Sequence, residues 1–381
     1  MNMKEYIIIK NFGPIESIEL NPIEPFVVLI GESGSGKSTI MKVLSLFRWI
    51  YKRLVLRSYV RQAGIKRTNI GFQFRTVLKV SGLDEYLKPN TEITYGRGEH
   101  EILYNRGKLN VGKNIPKEYL SLEKVCFVSD KRTMMSDILS NKTKHDFSNY
   151  YLQDTLDNFL LATDKITELP ISYLNVDFNV QKSIQGTKYT IKGKDQAKFS
   201  VNIKNASSGM QTVVPIHLIV EYYARFFDPK KSMSSSLFQY FNDNDRLTEF
   251  SATQNIGDIE QKNVHVMIEE PELNLDPQSQ TCLLDFLANR CFIEDHPYDM
   301  TLMLATHSPY IVNYLNILLK RGQIQSEKNK GNASIADDQI GVYKVEGGEI
   351  YPLIVKANPV VVDARPMSQV IADIYNMYNE L

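Results

Sequence analysis

Cysteine is scarce in this chain, with only Cys126, Cys282 and Cys291 among 381 residues. An odd number without a C-x-x-C pair argues against a disulfide framework and against a zinc site, and predicts a reducing, cytoplasmic setting. No run approaches 18 apolar residues, so no membrane span is expected. The apolar stretch in "MNMKEYIIIKNFGP" is too short for a signal peptide, and no export is expected. Net charge is also absent: Lys+Arg and Asp+Glu are both 44, so any surface for a polyanion must be local. No internal repeat occurs, and the single biased tract is "SMSSS". The 43% hydrophobic and 23% charged composition suits a globular chain with a full core, as one large domain with insertions or as two ordinary ones.

Short strands rich in branched residues are predicted at 5–9 and 26–31. After Gly31 the apolar spacing becomes helical through "STIMKVLSLFRWIYKRLVL". Short strands follow in "EITYG", "HEILYN" and "KVCFVSD", and 134–166 is expected to be mainly helical. Two or three strands are expected from Asp177 to Lys204, and a helix over "QTVVPIHLIVEYYARFF". The Ser-, Asn- and Asp-rich segment 229–263 is expected to be a polar mobile insertion. A strand, a helix from about 277 to 290, the strand "MTLMLATHS", a hairpin and a C-terminal helix complete the chain. Strands alternating with helices, with polar tips on the strands, predict an α/β sheet with ligands at the strands' carboxyl ends.

"GESGSGKST", Gly31 to Thr39, fits G-x-x-x-x-G-K-[ST] between a strand and a helix, which predicts a P-loop NTPase. Gly31, Gly34 and Gly36 let backbone N–H groups turn onto phosphates, and Lys37 reaches the β- and γ-phosphates. Ser38, followed by Thr39, supplies the hydroxyl for Mg²⁺. Such a site needs a second apolar strand, expected beside the first, ending in acid. "VMIEEPE" offers Glu269 for the metal side and Glu270 to polarise the attacking water. The expected cofactors are ATP and Mg²⁺. The plain alternative for the two glutamates is a helix cap beside a solvated carboxylate.

Further segments resemble the ABC-type ATPase heads. "NASSGMQT" resembles their signature motif, with Ser207 and Gly209 in the positions that touch a γ-phosphate. "LNLDP" resembles the D-loop, with Asp276 as its acid, and His307 in "ATHSPYIV" resembles the switch histidine. "YIIIKNFGPIESIEL" resembles the opening strands of RecF/SMC-like heads. The set as a whole looks most like the ATPases of the OLD, GajA and RecF-like group. The resemblance implies a single ABC-type head over 1–381 with a small helical and β-hairpin lid inserted at 131–204. It also implies a head-to-tail homodimer or higher oligomer, with Glu270, His307 and Lys37 as catalytic residues. "VCFVSDKR" stands in the place of the glutamine loop without a glutamine. Asp130 or Arg132 contacts Mg²⁺ or the γ-phosphate there by resemblance; a surface turn is the alternative. No long heptad pattern occurs, and no D-x-D cluster follows His307, so neither SMC arms nor a Toprim nuclease is expected. Any effector is expected to be a separate chain.

From Ser33 to Leu83 there is no acidic residue. Lys42, Arg48, Lys52, Arg53, Arg57, Arg61, Lys66, Arg67, Arg75 and Lys79 fall there with Trp49, Tyr51 and Tyr59 between them. This strip, residues 48–79 above all, predicts contact with DNA or RNA, or alternatively a helix packed on an acidic lobe. His217 and His265 are expected to be buried and hydrogen-bonded; His100, His145 and His296 are expected in loops, and Cys282 in the core. The leading expectation is an ATPase that switches a partner effector in anti-phage defence or DNA maintenance. A nucleotide-gated scaffold with slow turnover is the alternative, and the ATPase subunit of a transporter is disfavoured.

Overall fold

The structure is a computed structural model that describes residues 4–62, 73–140, 149–184, 186–194, 199–243, 259–324 and 331–380. Strands β1 (Glu5–Phe12) and β2 (Ile15–Leu20) form a hairpin, and β3 (Phe26–Ile30) runs into the P-loop and helix α1 (Lys37–Gln62). Helix α2 (Phe74–Val80) leads to β4 (Leu87–Arg97), β5 (His100–Asn105) and β6 (Lys108–Asn110). These pair with the first hairpin in an antiparallel sheet of order β2-β1-β4-β5-β6. Next come β7 (Ser121–Val128), α3 (Met135–Ser140) and α4 (Tyr150–Thr163). A small antiparallel sheet holds β8 (Glu168–Ile171), β9 (Val176–Ser183), β10 (Gly186–Gly193) and β11 (Ser200–Asn202). Then follow α5 (Ser208–Arg225), α6 (Pro229–Asp243), β12 (Gln261–Glu269), α7 (Pro277–Ala288), β13 (Asp299–Thr306) and α8 (Pro309–Gln323). The last elements are β14 (Ile340–Glu346), β15 (Glu349–Pro352), the short β16 (Ile354–Val355) and β17 (Val361–Val362), and α9 (Arg365–Glu380).

The central sheet has the order β15-β14-β3-β13-β12-β7, with β14, β3, β13, β12 and β7 parallel. Burial on both faces explains why these strands read as continuous apolar runs. Phe26, Val28, Ile30, Val264, Val266 and Ile268 face one core with α4, α5, α7 and α8. Val27, Leu29 and Met267 face a second core that holds α1 and the antiparallel sheet. Helix α1 is thus packed between two sheets. That two-sided burial hides 18 of its 26 residues and leaves it little amphipathic character.

Several expectations change. The strand ending in Glu269 does not lie beside the P-loop strand, because β13 is inserted between them. The crossover through α7 returns the chain into that gap, which places His307 between the loop and the glutamates. Residues 229–243 form a helix rather than a loop. Met233 and Leu237, four apart, share one face and are buried, which the surrounding serines concealed. Ile259 is buried and Gln261 begins β12; residues 244–258 lie outside the described residues. The 134–166 region is two helices, α3 and α4, and residues 141–148, with His145, lie outside the described set. His100 begins a strand, and Cys282 is only part-buried, whereas Cys126 and Cys291 are buried.

Candidate functional site

The parallel register brings the carboxyl ends of three strands level. Thr306 pairs with Ile30, and Glu269 with Ala305. Gly31, Glu269 and His307 therefore leave the sheet at one edge, as open parallel sheets do at their ligand crevices. Two glycines of the loop have no substitute. A Cβ on Gly31 would stand 2.4 Å from the Val345 carbonyl oxygen, and Gly34 has φ +82°.

Lys37 opens α1 and is 5% exposed. Its Nζ donates to the Gly31 and Glu32 carbonyls, both at 2.7 Å. Burial lowers its pKa, while the nearby Glu270 and Glu272 carboxylates hold it up. Those causes place three charged groups together across the loop, α1 and the turn after β12.

Glu269 ends β12 at 1% exposure. Burial raises its pKa; Lys42, whose Nζ lies 3.3 Å from Oε1, and a hydrogen bond from Ser38 work against that rise. The Asp130 carboxylate nearby adds to the rise, and Ser129 Oγ stands 3.4 Å from Glu269 Oε2. Glu270 is part-exposed, with its Oε1 3.4 Å from His307 Nε2. The two adjacent carboxylates thus diverge: one is buried against Ser38 and Lys42, the other opens toward His307 and solvent.

The other residues singled out from the sequence are dispersed around this centre. Thr39 is 8% exposed, turned largely into the core. Ser207 is exposed and caps α5, its side chain accepting from Met210 N. Gly209 sits in the first turn of that helix, where a Cβ would be 2.7 Å from the Asn274 carbonyl oxygen. Among the described residues no hydrogen bond or ion pair joins Ser207 or Gly209 to the loop 31–39. Asp276 acts locally as the cap of α7, accepting from Gln278 N at 3.0 Å and Ser279 N at 3.1 Å. Its bonds to Ser279 and Gln278 hold its carboxyl below the usual range.

Arg132 is neither a surface turn nor a phosphate contact. It is fully buried and donates to the carbonyls of Ser129, Glu269, Glu270 and Thr212. Asp130, by contrast, remains beside Glu269. The basic strip is also partly spent. Arg48 is buried in a two-bond ion pair with Glu5, at 2.8 Å for each bond, Arg53 lies over Trp49, and Arg61 donates to Asn114. Arg75 and Lys79 are exposed on α2, while Lys66 and Arg67 lie outside the described residues. His217 and His265 are buried and hydrogen-bonded to Tyr173 and to Glu123 and Thr301. Burial lowers both pKa values, and for His265 the Glu123 carboxylate works against that fall.

Sequence reasoning missed Lys42 and Glu272. Lys42 lies four residues after Ser38, a spacing that sets both on one helix face beside the same carboxylate. Glu272 accepts His307 N at 2.6 Å through Oε1, and its Oε2 is buried without a hydrogen-bond partner.

The donor set suits a magnesium nucleotide. Ser38 and Glu269 are hard oxygen donors held together at a helix N-terminus that favours phosphate. Among the described residues no group of three or more His, Cys, Asp or Glu could cage a metal alone, and Mg²⁺ bound through phosphates needs only one or two protein ligands.

Comparison with known proteins agrees at the level of the domain. Residues 3–167 match the AAA ATPase domain family. No curated protein matches the chain. Among solved structures, the SMC head domain from Thermotoga maritima aligns at 11% identity over 93% of this chain and 100% of its own, with a TM-score of 0.36. The recombination mediator protein RecF aligns at 10% identity over 92% of this chain and 98% of its own, with a TM-score of 0.34. A dimeric ATP-binding cassette in a post-hydrolysis state with ADP and Pi aligns at 11% identity over 90% and 96%, with a TM-score of 0.30. With its P-loop between β3 and α1 and the domain match over 3–167, the chain carries a P-loop ATPase domain.

Proposed function

We propose that the protein binds and hydrolyses ATP with Mg²⁺ and works as a head-to-tail dimer that switches a separate effector. One observation carries the reading: at one sheet edge, the Ser38–Glu269 pair stands beside Lys37 and beside the Glu270–His307 pair. The chain's own residues divide the work. Lys37, held by two loop carbonyls, offers its ammonium to phosphate oxygens. Ser38 and Glu269 hold the metal side, with Lys42 balancing the buried carboxylate. Glu270 accepts a proton from water, and His307 holds its carboxylate from the end of β13. Bound Mg²⁺ neutralises charge on the phosphates. Ser207 and Gly209, at the N-terminus of α5, are available to cap a nucleotide on a partner's loop.

The head-to-tail assembly, and a role in anti-phage defence or DNA maintenance, draw their support from the signature-like turn and the RecF-like opening strands. Steady-state phosphate release tests the chemistry. Wild-type protein should turn over ATP only with Mg²⁺, and Glu270→Gln should bind ATP but lose about 10²- to 10⁴-fold in kcat. Equal kcat in that variant refutes the role given to Glu270.

A further inference from the structure

Arg132 spends one planar guanidinium on four backbone carbonyls from three segments. Nη1 donates to Ser129 O at 3.1 Å and Glu269 O at 2.7 Å, Nη2 to Glu270 O at 2.5 Å, and Nε to Thr212 O at 3.1 Å. It is 0% exposed and remains charged, although burial lowers its pKa to about 10. A lysine has a point charge and no fork, and cannot reproduce this reach.

What the fork holds is unusual backbone. Glu270 has φ +44°, a left-handed conformation that L residues seldom adopt and that surrounding bonds must over-determine. Glu270 N donates to Ala305 O at 2.8 Å, and Leu273 N to Glu270 O at 3.0 Å. Arg132 supplies the remaining constraint on that peptide. The same side chain reaches the start of α5 at Thr212, whose own Oγ1 lies 2.9 Å from Leu273 O and shares its one proton between that carbonyl and those of Gly209 and Ser208 in its own helix, at 3.0 and 3.1 Å. Gly209 packs against Asn274, closer than any side chain allows. The turn carrying Ser207 and the turn carrying Glu270 are therefore fastened into one body.

We propose that Arg132 is a positioning residue that locks the left-handed turn aiming Glu270 to the start of α5, so that a contact at Ser207 is transmitted to the Glu270 of the same protomer. The transmission rests on the head-to-tail dimer; the locking of Glu270 does not. Each subunit's hydrolysis then responds to the nucleotide that its own signature turn caps on the partner, which couples the two sites.

Arg132→Lys and Thr212→Val test this through kcat, the dissociation constant of a fluorescent ATP analogue, the Hill coefficient for ATP and Tm. Arg132→Lys should lower kcat about 100-fold, the scale expected when a reacting group is misplaced by about 1 Å. Its nucleotide affinity should stay within about 3-fold, the pattern of an interaction made only in the transition state. Thr212→Val, which loses one hydroxyl, should lower kcat about 10-fold, and the Hill coefficient should fall toward 1 in both variants. Wild-type kcat in Arg132→Lys, or affinity falling in proportion to kcat in both variants, overturns the proposal. If Arg132→Lys does not fold, Thr212→Val decides: wild-type kcat and cooperativity there overturn it. Light scattering of Glu270→Gln with ATP separates the two ideas. A monomer there refutes the head-to-tail reading and with it the transmission, while a loss of kcat at unchanged affinity still upholds the locking.

Discussion

Glu269 and Glu270 are neighbours in sequence with opposite surroundings, and their consequences should separate. Glu269 is buried against Ser38 and Lys42; Glu269→Gln removes a metal-side charge and leaves Lys42 beside a neutral amide. Titration calorimetry should show that this variant loses the Mg²⁺-dependent part of its ATP affinity, whereas Glu270→Gln keeps it. If both variants bind ATP–Mg²⁺ as wild type does, the assignment of Glu269 fails. Lys37→Ala should abolish or severely weaken ATP binding, because among the described residues no other ammonium rests on the loop carbonyls. The adjacency of the two acids was legible in "IEEPE", but their divergence was not. It depends on Glu270 turning left-handed onto Ala305 and Arg132, which no local pattern encodes.

At the scale of elements, the antiparallel sheet is fastened to α1 and the central sheet by buried charge. Glu5 of β1 pairs with Arg48 of α1, and Glu123 of β7 with Arg97 of β4 and His265 of β12. Against the cost of burial, Arg48 holds the Glu5 carboxyl well below its usual range, and Arg97 with His265 holds that of Glu123 down to about 2. Both folded values lie below the unfolded one, so the stability they contribute is full above about pH 4.5 and is lost as pH falls toward 2. Glu123→Gln should flatten the dependence of Tm on pH in that window; an unchanged slope refutes it. Glu5→Gln leaves Arg48 buried and unpaired and should cost about 3–5 kcal/mol, with much of that recovered in Glu5→Gln/Arg48→Met. Chemical denaturation of wild type and the two variants decides it, and a double variant less stable than the single would count against the account. The acid-free strip thus has a structural share. Among the described residues its polyanion share reduces to Arg57, Arg75 and Lys79. Reversing Arg57, Arg75 and Lys79 to glutamate should flatten the log–log salt slope of DNA or RNA binding by about 0.9 per duplex phosphate contact. Filter binding that shows no nucleic-acid affinity in wild type at low salt removes that partner.

For the whole molecule, the exposed Ser207, which among the described residues has no hydrogen bond to the loop 31–39, makes a two-copy site testable. Glu270→Gln with ATP and Mg²⁺ should double its mass by light scattering, and Ser207→Arg in that background should keep it monomeric with its own ATP affinity intact. A dimer that persists with Ser207→Arg places the interface elsewhere. Among the described residues no helix is long and apolar enough to cross a membrane.

The sequence by itself determined the G-x-x-x-x-G-K-[ST] loop between a strand and a helix, the acidic tip of β12, the apolar strand that ends before His307 and the α/β class. Each is a local matter of residue type, spacing and backbone permissiveness within about ten residues. It also marked His217 and His265 as buried, because each lies inside an apolar run. Only the tertiary structure decided that β13 separates β3 from β12, since strand order follows from crossovers and not from strand composition. It decided that Arg48 and Arg132 are interior cations, because their partners lie 43 and up to 138 residues away, beyond any periodic signal. And it decided that 229–243 is a helix, where two buried apolar side chains outweigh the low helix preference of the serines around them.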